Sequence, residues 1–207
     1  MDALFILTLA AVLIVLLFDY TNGFHDAANI VASVIASRAM TPVQAILIVA
    51  GFEFLGPLLG GTAVANTIGK FVSLDGVAAS LALTVLVCGL LGAIAWNLLT
   101  WWRGIPSSSS HALVGGLIGA VVVSVGADHV VWGFRELFEG RFTGIVKVLA
   151  ALILSPLIGF WAGFLLHRLV LGLLRGARPV INRDLRNAQY FTTAALAFSH
   201  GANDAQK

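Results

Sequence analysis

Charged side chains are scarce in this chain. Its 207 residues include only 12 lysines and arginines and 10 aspartates and glutamates, so 11% of the chain is charged. An ordinary soluble domain has about 25% charged residues. The net charge of +2 is also too small to indicate a nucleic-acid partner. The scarcity of charge therefore indicates a chain whose solvent is the lipid bilayer.

Cysteine is almost absent, and no cleavable leader is recognisable. A single cysteine, Cys88, excludes an intrachain disulfide. Met1 and Asp2 put an acidic residue where a signal peptide carries basic ones, and no small-residue cleavage site follows the first apolar run. We therefore expect this run to remain in the protein as a membrane helix.

Apolar residues make up 59% of the chain, and the mean hydropathy is +0.96. The runs are continuous rather than alternating, which favours helices over the strands of a barrel. A bilayer core of about 30 Å needs about 20 helical residues. The sequence thus predicts an all-α integral membrane protein with five crossings and an interruption of the first near 19–23. They are expected at about 4–36, 42–59, 77–99, 106–125 and 145–167.

Basic residues orient the predicted bundle. With the N-terminus outside, the inner loops hold seven basic residues and the outer loops four, in agreement with the positive-inside rule. We expect a multi-pass protein of the cell membrane with a basic cytoplasmic loop at 168–189. Residues 1–167 form a first repeat in this prediction, and 190–207 begin a second one, so the chain is expected to be the front portion of a longer protein.

A short motif occurs twice. TNGFHDAAN (21–29) aligns with SHGANDAQK (199–207), which pairs Gly23 with Gly201 and Asp26 with Asp204. An odd number of crossings separates the two copies, so the second enters from the opposite face. Repeats of this kind, with discontinuous helices, build the midplane sites of secondary transporters. We therefore expect an inverted-repeat transporter fold.

Helical spacing puts the polar residues of the first copy on one face. This stripe consists of Asn22, His25, Asp26, Asn29 and Ser33. A carboxylate at the bilayer centre costs roughly 2.5 kcal/mol or more. The stripe must therefore face a cavity, an ion or other polar groups, and a structural network that ties helices together is the alternative.

Four serines follow Pro106 in GIPSSSSHALVGG. Proline suits the first turn of a helix, where the serines would present hydroxyls and free backbone N–H groups at the positive helix end. Such a helix start binds tetrahedral oxyanions. Alternatively, the serines cap their own backbone or lie in a flexible loop. An intramembrane hydrolase using Ser110 and His111 is disfavoured, because neighbours in a helix point apart.

Glu53 is a further acid inside a predicted span. As a free charge it would be costly, so we expect it to be protonated, paired or bound to a cation. Small residues at a spacing of four predict close helix packing. These are the pairs Gly56/Gly60, Gly115/Gly119 and Gly159/Gly163.

Three sequence elements together resemble the inorganic phosphate transporter (PiT) family, most of all its bacterial low-affinity branch. They are GFHDAANIVASVIASRAMTP, IPSSSSHALVGGLIGA and FSHGANDAQK. The resemblance implies two inverted repeats and phosphate symport, with no enzymatic activity and no cofactor. It also implies a substrate site that includes Asp26, Asn29, Ser108, Ser109, Ser110 and Asp204, with Glu53 matching a glutamate of many members.

The second motif departs from the family pattern at Lys207, where the first motif has Asn29. An ammonium group cannot ligate sodium, so this lysine favours proton coupling or uptake of a neutral metal–phosphate complex. We expect Glu53, His25 and Lys207 to serve coupling. The expected partners are phosphate, protons and lipid; a divalent metal enters only with the substrate, and a homodimer stays open. A sodium-coupled phosphate or sulfate permease is the alternative.

Overall fold

The structure, a computed structural model, describes residues 3–61 and 69–204, which are mostly helical. Seven α-helices and one 3₁₀ turn are found in these ranges. In chain order they are α1 (Ala3–Ala36), α2 (Pro42–Leu59), α3 (Ala79–Arg103), α4 (Ser109–Ser124), the 3₁₀ turn (Ala127–His129), α5 (Phe134–Phe138), α6 (Gly144–Leu173) and α7 (Ile181–Asp204).

Four of these helices are long and apolar enough to cross a membrane: α1, α2, α3 and α6. The helix at the predicted fourth crossing, α4, has only 16 residues. At 1.5 Å per residue it extends about 24 Å, less than the thickness of a bilayer core. The predicted fourth crossing is therefore a shorter helix that starts inside the serine run.

Local sequence signals explain where α2 and α3 begin and end. Thr41 and Gln44 form a capping box at the start of α2, with Pro42 in the first turn. Gly104 ends α3 in the left-handed conformation, with φ of 63°, which a residue without a side chain adopts at little cost.

The helix α1 is continuous from Ala3 to Ala36, so the interruption expected near 19–23 is not present. The hydroxyl of Thr21 donates to the Phe18 carbonyl at 2.9 Å within the helix. The side chain of Asn22 accepts a hydrogen bond from Ser109 of α4. Because these polar groups have partners, the backbone does not need to open around them.

The described residues form two compact units, and the first comprises those up to Val130 together with those from Gln189 onward. Its helices α1, α3 and α4 pack through buried apolar side chains. Phe18 is fully buried there against Leu90, Ala93, Ile94 and Leu113. A second cluster, Ile30, Val49 and Ala197, joins α1, α2 and α7. This packing brings the two aligned motifs into the same unit.

Helices α2 and α7 approach each other closely at glycines. A Cβ atom at Gly201 would overlap the backbone of Glu53, and one at Gly56 would overlap the backbone of α7 at Ala202. The predicted packing role of Gly56 and Gly60 is therefore confirmed. A Cβ built on Gly115, Gly119, Gly159 or Gly163 would meet no described atom of another helix within 4 Å.

The second unit, Val131–Ala188, contains α5 and α6. The Ile145 N–H donates to the Val131 carbonyl at 3.0 Å, and the Trp132 ring stacks on Phe134. Large apolar side chains along α6, such as Leu157 and Phe160, are exposed. Exposure of this kind is expected of a helix that faces lipid.

Helix boundaries around the predicted basic loop differ from the expected ones. The segment 168–189 contains the end of α6 and the start of α7, which begins at Ile181 rather than near Tyr190. Hydropathy predicts where a helix leaves the bilayer. The helix itself can extend further, because its backbone hydrogen bonds continue into the polar sequence beside the apolar segment. The division into repeats at these positions stays a prediction.

Candidate functional site

Residues from both motifs and from the serine run meet in one cavity of the first unit. This central cavity has a volume of about 330 Å³. Its polar lining residues are Asp26, Asn29, Ser107, Ser108, Ser109, Ser110, His200 and Asp204. The structure thus brings together all six residues that the resemblance implied for the substrate.

Ser109 connects the serine run to α1. Its hydroxyl donates to Asn22 Oδ1 and lies 3.2 Å from Asp26 Oδ2. Ser109 and Asn22 are 2% and 5% exposed, so water competes little for these hydrogen bonds. A hydroxyl has a single proton, so Asn22 and Asp26 share one donor. The contact holds the Asp26 carboxylate beside the start of α4.

The other serines are placed differently. Ser107 accepts a hydrogen bond from the indole N–H of Trp96 at 2.8 Å. Ser108 is the N-cap residue of α4, but its side chain makes no capping hydrogen bond. The alternative in which the serines cap their own backbone therefore has no support at Ser108. Ser108 is exposed and Ser110 is half-buried, which leaves both accessible from the cavity.

His200 is the residue that our sequence reasoning missed. Its Nδ1 atom lies 2.9 Å from Glu53 Oε1, and its Nε2 atom lies 3.1 Å from Asp204 Oδ2. Asp26 Oδ2 is 4.0 Å from the same Nε2 atom. The motif alignment held a usable signal, because His200 stands opposite Asn22, a member of the polar stripe.

Glu53 reaches this cluster because of the close approach of α2 and α7. The backbone of Glu53 lies against Gly201, the residue next to His200. A larger residue at 201 would push the two helices apart. The expectation that Glu53 is paired therefore agrees with its position beside the imidazole.

A smaller cavity of about 160 Å³ lies on another side of His200. Its lining includes three carboxylates, one amide and one imidazole besides glycines. These are Asp19, Glu53, Asp204, Asn22 and His200. His200 and Asp204 also line the central cavity, so both cavities share these two side chains.

Two of the three residues expected to serve coupling can be placed. His25 Nδ1 lies 3.5 Å from Asp26 Oδ1, and Glu53 contacts His200. Lys207 lies outside the described residues, so the argument based on it stays a prediction. Among the described residues, Asp26, His200 and Asp204 could hold a metal ion, since their ligand atoms lie within 4.8 Å of one another.

Comparison with known proteins gives consistent matches. Residues 22–186 match the model described as the phosphate transporter family. The chain is 45% identical over 200 residues to a probable low-affinity inorganic phosphate transporter of Streptomyces halstedii, covering 94% of this chain and 87% of that protein. A protein of the same description from Bacillus subtilis is 40% identical over 208 residues, covering 100% of this chain and 59% of its own length.

More distant relatives agree. The low-affinity inorganic phosphate transporter of Escherichia coli is 37% identical over 223 residues, covering 98% of this chain and 44% of that protein. A solved structure titled "The sodium-dependent phosphate transporter" superposes with a TM-score of 0.68 at 22% identity, covering 94% of this chain and 55% of that one. The chain therefore spans about half the length of several relatives. The structural similarity confirms the predicted all-α membrane fold.

Proposed function

Because this chain belongs to the phosphate transporter family, we propose that it acts in a secondary active transporter that imports inorganic phosphate by proton symport. Membership confirms the resemblance drawn from the three sequence elements, and it places the chain among transporters rather than enzymes. The observation that carries the transport proposal is the central cavity, where hydroxyls of the serine run face Asp26 and Asp204.

The donors and acceptors of the central cavity suit phosphate. Its serines offer hydroxyl donors to tetrahedral oxygens, and the N–H groups at the start of α4 add to them. Phosphate near neutral pH still carries an acidic proton, which Asp26 or Asp204 can accept in a hydrogen bond. Sulfate has no such proton and would meet the same carboxylates with repulsion, so attraction and repulsion together give selectivity.

The position of His200 supports coupling to protons. Each of its ring nitrogens faces a carboxylate oxygen, one from Glu53 and one from Asp204. A neutral imidazole has only one N–H donor, so only the imidazolium form can offer a proton to both. This side chain then supplies the positive charge that a sodium ion would bring. Lys207, as a lysine where the first motif has asparagine, favours the same choice.

Sodium coupling and a sulfate substrate are the alternatives within the same fold. The solved relative is titled as sodium-dependent, but at 22% identity it supports only the fold of this chain. A neutral metal–phosphate complex is a further form of the substrate. Its metal would be received by Asp26, His200 and Asp204, the group with closely spaced ligand atoms.

The membrane arrangement belongs to the same proposal. We place the N-terminus outside the cell membrane and the segment 168–189 in the cytoplasm, because the basic residues are more numerous in the inner loops. The aligned motifs, both located at the central cavity, support an inverted repeat. Phosphate, protons and lipid are the partners in this proposal.

Uptake of labelled phosphate into vesicles containing the protein tests the proposal. We expect uptake to follow an imposed proton gradient and not to respond to sodium. Arsenate should compete almost as well as phosphate, because it has the same shape and also carries a proton, whereas sulfate should compete poorly. Sodium-driven uptake would support the alternative coupling, and equal competition by sulfate would contradict the role given to the carboxylates.

A further inference from the structure

Another polar cavity lies between α1 and α7, near the Ala36 end of α1. Its volume is about 350 Å³. It is lined by Ile30, Ser33, Val34, Ser37, Gln189, Thr192, Thr193 and Leu196. None of these residues belongs to the substrate or coupling sets described above, and Ser33 is the member of the polar stripe that the proposed site leaves unused.

We call this cavity, near the Ala36 end of α1, the inner cavity, and its neutral donors distinguish it from the central one. Five of its eight lining residues carry a hydroxyl or an amide, and none carries a carboxylate. The central cavity, by contrast, contains Asp26 and Asp204. Hydroxyls can donate to an oxyanion without the repulsion that a carboxylate exerts on its unprotonated oxygens. The inner cavity therefore suits an oxyanion in any protonation state.

The two cavities follow each other along one face of α1. Ile30 lines both of them. Asp26 and Asn29 lie on the central side of Ile30, and Ser33 and Ser37 lie on the other side, all at helical spacings that keep them on the same face. An ion that leaves the serine run along α1 would thus pass from one set of polar groups directly to the next.

One hydrogen bond joins Ser37, which directly follows α1, to Gln189 of α7 at one end of the inner cavity, and a second one lies within α7. Ser37 Oγ donates to Gln189 Oε1 at 2.8 Å, and Thr192 Oγ1 donates to the Gln189 carbonyl at 3.3 Å. Thr193, by comparison, is only 3% exposed. The cavity therefore has a partly exposed polar end at Ser37 and Gln189 and a buried hydroxyl closer to the helix contact.

We propose that the inner cavity is an exit site, in which phosphate released from the central cavity is held by neutral hydroxyls before it leaves. This inference rests on the proposed transport function and assigns a second binding site to it. With the N-terminus outside, the Ala36 end of α1 faces the cytoplasm, which is the direction of import.

Cysteine accessibility tests the exit site, because these 207 residues contain only one cysteine, Cys88. In a Cys88→Ala parent whose phosphate uptake has been measured, Ser33→Cys and Thr192→Cys are treated in inside-out vesicles with a small anionic methanethiosulfonate reagent. We expect both cysteines to react, and we expect inorganic phosphate to slow the reaction about tenfold. Sulfate should also slow the reaction at the inner cavity, because no carboxylate lines it, although sulfate lacks the proton that the central cavity needs. Thr84→Cys, on the exposed face of α3, is the control that phosphate should not protect.

The same experiment in an Asp26→Asn background separates local binding from a conformational change driven by the central site. Protection by phosphate should persist there although transport is lost. No reaction at Ser33→Cys and Thr192→Cys would overturn the exit site, because the cavity would then be closed to water from this side. A reaction that phosphate does not slow would also overturn it and would indicate a water-filled gap without an anion site. Protection that disappears with Asp26→Asn would also overturn it. Absence of phosphate uptake by the parent would instead contradict the proposed function.

A second variant pair avoids reliance on cysteine chemistry. Thr193→Val keeps the shape of the side chain but removes the hydroxyl, and Thr193→Ser keeps the hydroxyl. We expect Thr193→Val to lower the maximal uptake rate about threefold with an unchanged KM for external phosphate, and Thr193→Ser to restore the rate. A raised KM, or the same loss in both variants, would argue against an exit role.

Discussion

The two aligned motifs share their aspartates and glycines but differ in what surrounds them. In the first motif, Asn22 is neutral, buried and bonded to the serine run through Ser109. At the aligned position of the second motif, His200 faces the carboxylates of Glu53 and Asp204. One copy is therefore joined to hydroxyl donors and the other to ionisable groups.

This difference suggests a division of work within the repeated sequence. The Asp26 carboxylate lies beside the donors of α4, where a tetrahedral anion would be bound. The second motif lies against α2, where the Glu53 side chain and an imidazole can hold or pass a proton. Each variant below alters one aligned pair or the contact that distinguishes it.

The largest effect is expected from the aspartate pair. Asp26→Asn keeps the size of the side chain and removes the acceptor of the phosphate proton, so uptake of labelled phosphate should fall about 100-fold or more. Asp128→Asn, in the exposed 3₁₀ turn, is the matched control and should transport normally. Near-normal uptake by Asp26→Asn, at equal amounts of protein in the membrane, would make this carboxylate structural.

The next largest effect is expected at the position where the motifs differ in charge. His200→Asn gives the second motif the residue of the first and leaves Glu53 and Asp204 without their shared cation. We expect proton-driven uptake to fall about 10- to 100-fold, because half-buried carboxylates that have lost this cation repel phosphate. The measurement is the initial uptake rate under an imposed proton gradient.

His167→Asn, on the exposed surface of α6, controls for the loss of an imidazole. Sodium stimulation gained by His200→Asn would strengthen the view that the imidazole replaces a cation. A His200→Asn protein that keeps its dependence on the proton gradient would show that coupling is carried elsewhere.

An intermediate effect is expected at the contact that only the first motif makes. Ser109→Ala removes the donor shared by Asn22 and Asp26, and the maximal uptake rate should fall about tenfold, the order expected for one hydrogen bond to a charged group. Asn22→Ala should act through the same contact, so the double variant should be little worse than either single one. Ser124→Ala, at the other end of α4, serves as the control.

Ser108→Ala and Ser110→Ala sharpen this prediction, because their hydroxyls are accessible from the cavity. We expect them to raise the KM for phosphate, whereas Ser109→Ala should mainly lower the maximal rate. Additive losses in Ser109→Ala with Asn22→Ala, or a KM increase in Ser109→Ala equal to that of Ser110→Ala, would show that Ser109 contacts phosphate directly.

The smallest effect is expected at the last aligned pair, Asn29 and Lys207. Lys207→Asn restores the pattern of the first motif and removes a positive charge near Asp204 in sequence. We expect proton-driven uptake to fall by a factor of about three to ten, with weak stimulation by sodium. Lys70→Asn, in an exposed loop, controls for the charge. Unchanged uptake would mean that Lys207 only extends to the membrane interface.

Much of the fold could be predicted because the bilayer imposes a simple rule on composition and length. The second crossing, 42–59, coincides with α2, where Thr41, Pro42 and Gln44 define the start. The predicted break in α1 is wrong, because the polar residues at 19–23 lie within one continuous helix. The partner of Asn22 lies on α4, far away in sequence, and periodicity along one helix does not reveal it.

The candidate site was predicted to a similar extent. Spacing placed Asp26 and Asn29 on one face, and the serine run was recognised by its own composition. Missing from the prediction was His200: the alignment of the two motifs places it opposite Asn22, but the alignment does not reveal that Glu53 lies beside it. Its importance follows from two helices, α2 and α7, that approach closely beside it because Gly56 and Gly201 leave no side chains between them.

The sequence by itself determined that this chain is a membrane protein and which family it resembles. It also showed that polar residues are concentrated in the two aligned motifs and the serine run. These properties depend on composition and on the local order of residues along the chain, because the length of an apolar segment and the placement of charged residues determine how it inserts into a bilayer. Only the tertiary structure decided which polar groups meet: Ser109 with Asn22 and Asp26, and His200 with Glu53 and Asp204. Such pairings depend on how helices cross, and the crossings are set by buried side chains and glycines that are distant in the chain.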